Sequence, residues 1–327
     1  MRLSRLAGMG IVFCALGFAP MGRATSCTTQ AEMTGVDRDA IAAVSQKLAN
    51  AVVQQDFATL QSSLLSAVAQ QWQGIHDAVE QGAGDVKGGT AQIRTLYLLD
   101  ATTLTAPADT QFFCTSGNAS LTVTISMNTL PPGRYAVAIA DVPQSQLAGQ
   151  IGFILGWEAN TWRVGGLFVR PGKLDGHDSV WYWQHGRELG RANEAWAAYY
   201  SYDAARYLAL PVNFLSSNNL DRLAQEQNQL KNGPSDAFPL TVTAGDRSWK
   251  IQSIRFDPTL RQADLGVTYE SAGVTDPAAQ RTEAIAVMSA LLKAKPAMRQ
   301  TFHGLWAYSA AGTNVTPVME LPMGQIP

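Results

Sequence analysis

The stretch GFILGWEANTWRVGGLFVRP, residues 152–171, sets two runs of aromatic and β-branched residues on either side of Glu158-Ala159-Asn160-Thr161. Such runs around a short polar turn read as a β-hairpin. Upstream, further runs of period two fall at residues 93–99, 112–114, 120–127 and 135–140, punctuated by turns such as Leu130-Pro131-Pro132-Gly133. Closer to the N-terminus the period changes. From residue 37 to 53 the apolar positions Ile41, Val44, Leu48, Ala51 and Val52 recur at three and four, one face of a helix that Asp37 is placed to cap. A second helical pattern runs from Phe57 through Leu60, Leu64, Val68, Trp72, Ile75 and Val79, and is expected to stop at the glycine-rich stretch 82–89. Helices followed by an antiparallel meander describe an α+β unit over residues 27–171.

Downstream of that hairpin, residues 172–211 are dense in aromatic side chains: Trp181, Tyr182, Trp183, Trp196, Tyr199, Tyr200, Tyr202 and Tyr207. Two helices fit this connector, and the second is apolar on both sides, as a helix buried between two bodies would be. Leu189-Gly190-Arg191-Ala192-Asn193-Glu194-Ala195 looks like the turn of a tetratricopeptide repeat, but a single copy does not build an array. From residue 212 to 327 a second helix-and-sheet body is expected. Its helix over 220–231 has Ser216, Ser217 and Asn218 as caps, and a later helix opens at Asp276-Pro277. Strands read at 240–243, 249–256, 263–269, 302–308 and 315–320. The fold class is therefore α+β, two helix-plus-antiparallel-sheet lobes joined by an aromatic-rich helical hairpin.

The order of elements in residues 37–170, with the W…WRVGGLFV closing hairpin, resembles the nuclear transport factor-like (cystatin-like) α+β roll. That superfamily holds isomerases, dehydratases and non-catalytic binding domains, so the resemblance implies a fold and no single function. Over nearly its full length the chain also resembles an uncharacterised family of exported bacterial proteins. The residues carrying that likeness are Cys27, Leu130 to Gly133, and Gly176-His177-Asp178 through Trp181-Tyr182-Trp183. It implies location and architecture but no activity.

The first 26 residues have Arg2 and Arg5, then the apolar run AGMGIVFCALGFAP, then the small residues Ala24, Thr25 and Ser26 before Cys27. That is the layout of a signal peptide, and the run is short of the roughly 20 residues needed to cross a bilayer. Export to the periplasm or the extracellular space is expected, with cleavage before Cys27. No later stretch suits a multi-pass membrane protein. Removing residues 1–26 deletes Arg2, Arg5 and Arg23 and no acid, leaving 21 basic against 26 acidic residues, a net charge of −5. Without clustered cations, nucleic acid is excluded as a partner. Only 15% of the residues are charged and 46% are apolar, which excludes a disordered or coiled-coil chain. In an oxidising compartment Cys27 and Cys114 suit a disulfide closing a loop of 87 residues. The alternatives are a lipid anchor on Cys27, tying the chain to the outer membrane, or free thiols.

No motif fixes a reaction. Histidine is scarce, with His76, His177, His185 and His303. His185 and Glu188 could share a cation, but a site needs three or four ligands and no third is apparent, so no metal and no cofactor are expected. His76-Asp77 is the sharpest enzymatic pair, a base tuned by a carboxylate. Neighbours on a helix point about 100° apart, however, which favours a surface pair. His177 and Asp178 suit a turn or cap, with ligand contact as the functional alternative. Trp181 and Trp183 would either stack a ligand or pack the lobes together. No catalytic residue is assigned, and the ligand-binding candidates are His177, Asp178, Trp181, Trp183 and His76. The reading these observations favour is an exported non-catalytic protein with a binding or assembly role in the cell envelope, its partner an envelope protein, a glycan or a small apolar ligand. The alternatives are an enzyme using the cavity of the first lobe and a glycan-binding module using the Trp/Tyr-rich connector.

Overall fold

The computed structural model describes residues 25–115, 117, 121–271 and 273–327, so the segment read as the signal peptide falls outside the described residues up to residue 24. A short strand β1 (Ser26–Thr29) precedes helices α1 (Gly35–Gln54), α2 (Phe57–Ser62) and α3 (Trp72–Val86). Strands follow: β2 (Gln92–Asp100), β3 (Ala108–Thr115), β4 (Thr122–Leu130), β5 (Arg134–Val142), β6 (Gly149–Glu158) and β7 (Thr161–Arg170). The β6–β7 hairpin turns on Ala159 and Asn160, both at positive φ, the geometry whose twist matches that of paired strands.

The main sheet has the order β1-β2-β5-β6-β7, so the six predicted strands do not form one meander. β3 and β4 leave it and make a second sheet with β10 (Leu215–Ser217), packed against one face of the first. Period two identifies strands but not their neighbours, which is why the meander reading fails there. The helices cover the other face. On β5, Ala136, Ala138 and Ala140 turn toward the helices while Val137 and Ile139 turn toward the small sheet. Alternation fixes the two faces, and the run of alanines leaves room for α1 to lie close against β5.

Three helix readings change. Thr34, not Asp37, caps α1, its hydroxyl accepting from the Asp37 N–H at 3.1 Å; Asp37 sits in the first turn and pairs with Arg134 at 2.8 Å. The pattern from Phe57 to Val79 is not one helix. Residues 63–65 run along the outer edge of β7, with the Val164 N–H donating to the Ser63 carbonyl and the Leu65 N–H to the Val164 carbonyl, each at 2.8 Å. An open strand edge needs such a cover. Leu60 and Leu64 bury against the same core on either side of the break, so the apolar spacing runs on through it. The glycine-rich stretch is partly helical: Gly82 and Gly84 lie in α3, and a Cβ on Gly82 would run into the Val169 side chain.

Cys27 on β1 and Cys114 on β3 are joined in a disulfide, with their Cα atoms 5.2 Å apart, tying the edge of the main sheet to the small one. While that bond stands, the Cys27 sulfur cannot carry a thioether lipid.

The remainder comprises β8 (Lys173–Leu174), β9 (His177–Asp178), α4 (Ser179–Arg191), α5 (Ala195–Ala209), then β10, and α6 (Asn218–Asn228). After these come β11 (Leu240–Ala244), β12 (Arg247–Asp257), β13 (Asp264–Glu270), α7 (Pro277–Ala294), α8 (Ala297–Thr301), β14 (Gly304–Ala311) and β15 (Asn314–Pro322). Strands β11 to β15 pair in sequence order, but β13 and β14 run parallel, against the antiparallel expectation. A strand, a helix and a neighbouring strand make a crossover that returns the chain in the same direction, and α7 is that crossover. The aromatic connector shares its core with this sheet: Trp196, Tyr200 and Leu208 of α5 cluster with Ile251, Leu265 and Leu291. The other side of α5 meets the first sheet, where Gln150 Nε2 donates to the Leu208 carbonyl at 2.8 Å. The described residues make an α+β fold.

Candidate functional site

Where the chain leaves α5 at Pro211 and passes through β10 into α6, it leaves a cavity of about 300 Å³. Tyr97 and Ile139, from adjacent strands of the main sheet, form one wall, and Trp183 of α4 and Leu223 of α6 the other. Ala205 and Ala209, one turn apart on α5, make the room, since larger side chains there would fill it. At the rim stand Arg94 and Ser179. Arg94 Nη1 lies 3.1 Å from Asp141 Oδ1 and its Nη2 3.4 Å from Gln150 Oε1. Burial pushes the Asp141 carboxyl up, against the opposing pull of Arg94.

Trp183 is held by Glu226. The indole N–H donates to Glu226 Oε2 at 2.8 Å, Arg187 reaches the same carboxylate through Nε and Nη2 at 2.7 Å each, and Arg222 Nε adds a contact of 3.1 Å. These hydrogen bonds, led by that from Arg187, draw the Glu226 carboxyl down to about 2. The carboxylate thus ties α4 to α6 across the cavity mouth and fixes the ring that lines it.

The other sequence candidates separate. Asp178 caps α4, accepting from the Trp181 N–H at 2.9 Å. His177 stacks on Trp181 with ring centroids 3.6 Å apart, and His185 stacks at 4.6 Å, so Trp181 is enclosed by two imidazoles. His76 is on α3, on the opposite face of the main sheet from the cavity. It is not a simple surface residue as the sequence implies: its ring stacks on Phe57 at 4.4 Å and meets Trp72 edge-on at 5.8 Å. Its Nδ1 comes within 3.5 Å of Asp77 and 3.7 Å of Glu80, closer than neighbouring helical residues suggest, though it makes no hydrogen bond. Of the five ligand-binding candidates, only Trp183 lines the cavity.

Arg94, Tyr97, Ile139 and Leu223 escape sequence reasoning because they lie on separate elements. One signal is in the sequence: the second apolar face of α5, which includes Ala205 and Ala209 beside Ala195, Ala198 and Tyr202.

Two groups among the described residues bring three His or carboxylate ligand atoms within 4.8 Å of one another: His76, Asp77 and Glu80, on one helix, and Asp264, His303 and Glu320, from three parts of the last sheet. His185 Nδ1 lies 3.6 Å from Glu188 Oε2.

The chain matches no family model, no curated protein and no solved structure.

Proposed function

We propose that the protein is an exported, non-catalytic binding protein of the cell envelope that holds a small apolar ligand in the cavity between its first sheet and helices α4 to α6. The observation carrying this reading is the cavity itself, walled by Tyr97, Ile139, Trp183 and Leu223 with Arg94 and Ser179 at the rim. An apolar interior with a few polar groups at its edge is the usual composition of a ligand pocket, and its size is at the lower end of the roughly 300–1,000 Å³ range. Arg94 suits a ligand with an acidic head group.

The lining favours binding over catalysis. Among the described residues around the cavity there is no His, Asp, Glu or Cys, so hydroxyls of the lining such as Tyr97 and Ser179 have no imidazole or carboxylate beside them in the lining to activate them. The glycan alternative requires a free tryptophan face, whereas Trp181 is enclosed by His177 and His185, and Trp183 carries Arg187 at 4.6 Å over its ring. The Cys27–Cys114 bond supports an oxidising compartment. For the likeness of the first lobe to the nuclear transport factor-like roll, the support is that α1 to α3 precede β2 to β7 and cover one face of the sheet.

Titration of the full chain with the apolar fluorophore anilinonaphthalene sulfonate tests the reading. Saturable binding at one site is expected, and Ala209→Trp, which fills the cavity, should abolish it while circular dichroism stays unchanged. Absence of saturable binding, or binding that survives Ala209→Trp in a folded variant, would overturn it.

A further inference from the structure

We propose that Asp264, His303 and Glu320 form a binding site for one divalent first-row metal ion, with Zn²⁺ preferred. This site lies in the last sheet and does not depend on the cavity reading.

The parallel pairing of β13 and β14 builds it. Asp264 opens β13, and His303 immediately precedes β14, its N–H donating to the Ala263 carbonyl at 3.0 Å, so the two side chains emerge side by side. Glu320 comes from β15, opposite Trp306. His303 Nδ1 is 2.9 Å from Asp264 Oδ1, and one ligand atom from each of the three residues falls within 4.8 Å of the others. Gly304 forms the floor. A Cβ there would sit 2.6 Å from Glu320 Oε1 and 3.0 Å from Asp264 Oδ1, so a side chain at this position would occupy the space between the carboxylates.

One oxygen of each carboxylate in this cradle has no hydrogen-bond partner. Asp264 is 0% exposed, yet its Oδ2 makes no hydrogen bond, and the buried Glu320 Oε1 makes none either. A buried carboxylate oxygen without a partner is costly, and two facing carboxylates add repulsion. Burial pushes the Asp264 and Glu320 carboxyls up, and Asp264 raises Glu320 further. Asp175, whose carboxylate accepts from the Ala263 N–H at 2.9 Å, adds a third negative charge nearby. His303, bonded to one oxygen of Asp264, and the neighbouring Trp306 indole both favour the Asp264 carboxylate, yet they do not offset its burial. A divalent cation would, and it would supply the missing partner to both oxygens.

The donor set indicates the ion. One imidazole and two carboxylates suit a borderline ion better than Ca²⁺ or Mg²⁺, which prefer oxygen throughout. Three protein ligands leave a position for water, as in open zinc sites. His303 is 28% exposed, so the site has a solvent entrance. Ligands of tetrahedral Zn²⁺ are about 3.4 Å apart, so the ion would replace the 2.9 Å hydrogen bond between His303 and Asp264, those two groups parting slightly while the flexible Glu320 side chain swings inward.

The test is isothermal titration of untagged, EDTA-treated full chain with ZnCl2, paired with native mass spectrometry. One bound Zn²⁺ per chain is expected. His303→Ala and Glu320→Gln should each weaken binding by at least about tenfold, Gly304→Ala should weaken it by filling the cradle, and His76→Ala should leave it unchanged. Glu320→Gln is nearly isosteric at a half-buried position, so circular dichroism should show it folded even if another variant fails. No binding by the wild type, binding that survives both His303→Ala and Glu320→Gln, or loss caused by His76→Ala would each overturn the proposal.

Discussion

Arg261 Nε lies 2.6 Å from Oδ1 of Asp85, a carboxylate with no exposed surface, so the end of α3 is tied to the turn between β12 and β13 across 176 positions of sequence. Arg261 also donates through Nη2 to the Gln81 carbonyl at 2.8 Å. The pairing does not hold the acid in its ordinary range. Burial, only partly opposed by Arg261, raises the Asp85 carboxyl from about 3.8 to about 6. Between those values the folded chain binds the proton more readily than the unfolded chain, so stability falls as pH rises through the interval and stays lowered above it. Asp85→Asn removes this dependence. Urea denaturation should show the wild type losing up to about 3 kcal/mol relative to Asp85→Asn between pH 4 and pH 7, the equivalent of roughly two pKa units. A wild type that gains on the variant as pH rises would mean the ion pair outweighs burial. Asp203, raised to about 6 by burial, titrates in both proteins and cancels in the comparison.

The Cys27–Cys114 bond makes two single substitutions equivalent. Cys27→Ser and Cys114→Ser should each cost about 2 to 4 kcal/mol, and the double variant no more than either, because one cross-link is lost in every case. Two free thiols titrated in the unreduced, unfolded protein would contradict the bridge.

Trp196 is 6% exposed, meets Phe238 edge-on at 5.8 Å and lies under the Lys295 ammonium at 4.6 Å. Emptying such a position costs roughly 3 to 5 kcal/mol. Trp196→Ala should therefore lower the denaturation midpoint strongly and leave retention on peptidoglycan unaltered. Near-normal stability with lost retention would favour the glycan reading.

These residues also mark where the sequence is legible. Alternation and helical spacing register burial along one element, so β2 to β7, α1, α5 and α7 can be read locally, and the two-faced character of α5 follows from its composition. Pairing between elements leaves no such trace. Nothing in Leu215-Ser216-Ser217 announces that it will complete a sheet with β4, since a three-residue strand is too short to show a period. The break at residues 63–65 is hidden because Leu60 and Leu64 remain on the core side throughout. The cavity and the Asp264–His303–Glu320 cluster are harder still. Their members come from strands and helices far apart in the chain, and a parallel crossover, invisible in local pattern, brings Asp264 beside His303.

Glu226 connects stability to the cavity, and its pH dependence has the opposite sign to that of Asp85. Hydrogen bonds from Arg187 and Trp183 hold its carboxyl near 2, below the ordinary 4.5. Its contribution is therefore complete above about pH 4.5 and is lost as pH falls toward 2. Glu226→Gln keeps the shape but loses the charge, and should cost about 2 kcal/mol at pH 7, within the range for hydrogen bonds to charged groups. The difference from wild type should shrink on acidification. Because the same carboxylate fixes the Trp183 indole at 2.8 Å, the variant should also bind anilinonaphthalene sulfonate more weakly and shift the tryptophan emission. Loss of stability with unchanged probe affinity would separate the clamp from the cavity, leaving Glu226 as a tie between α4 and α6 alone.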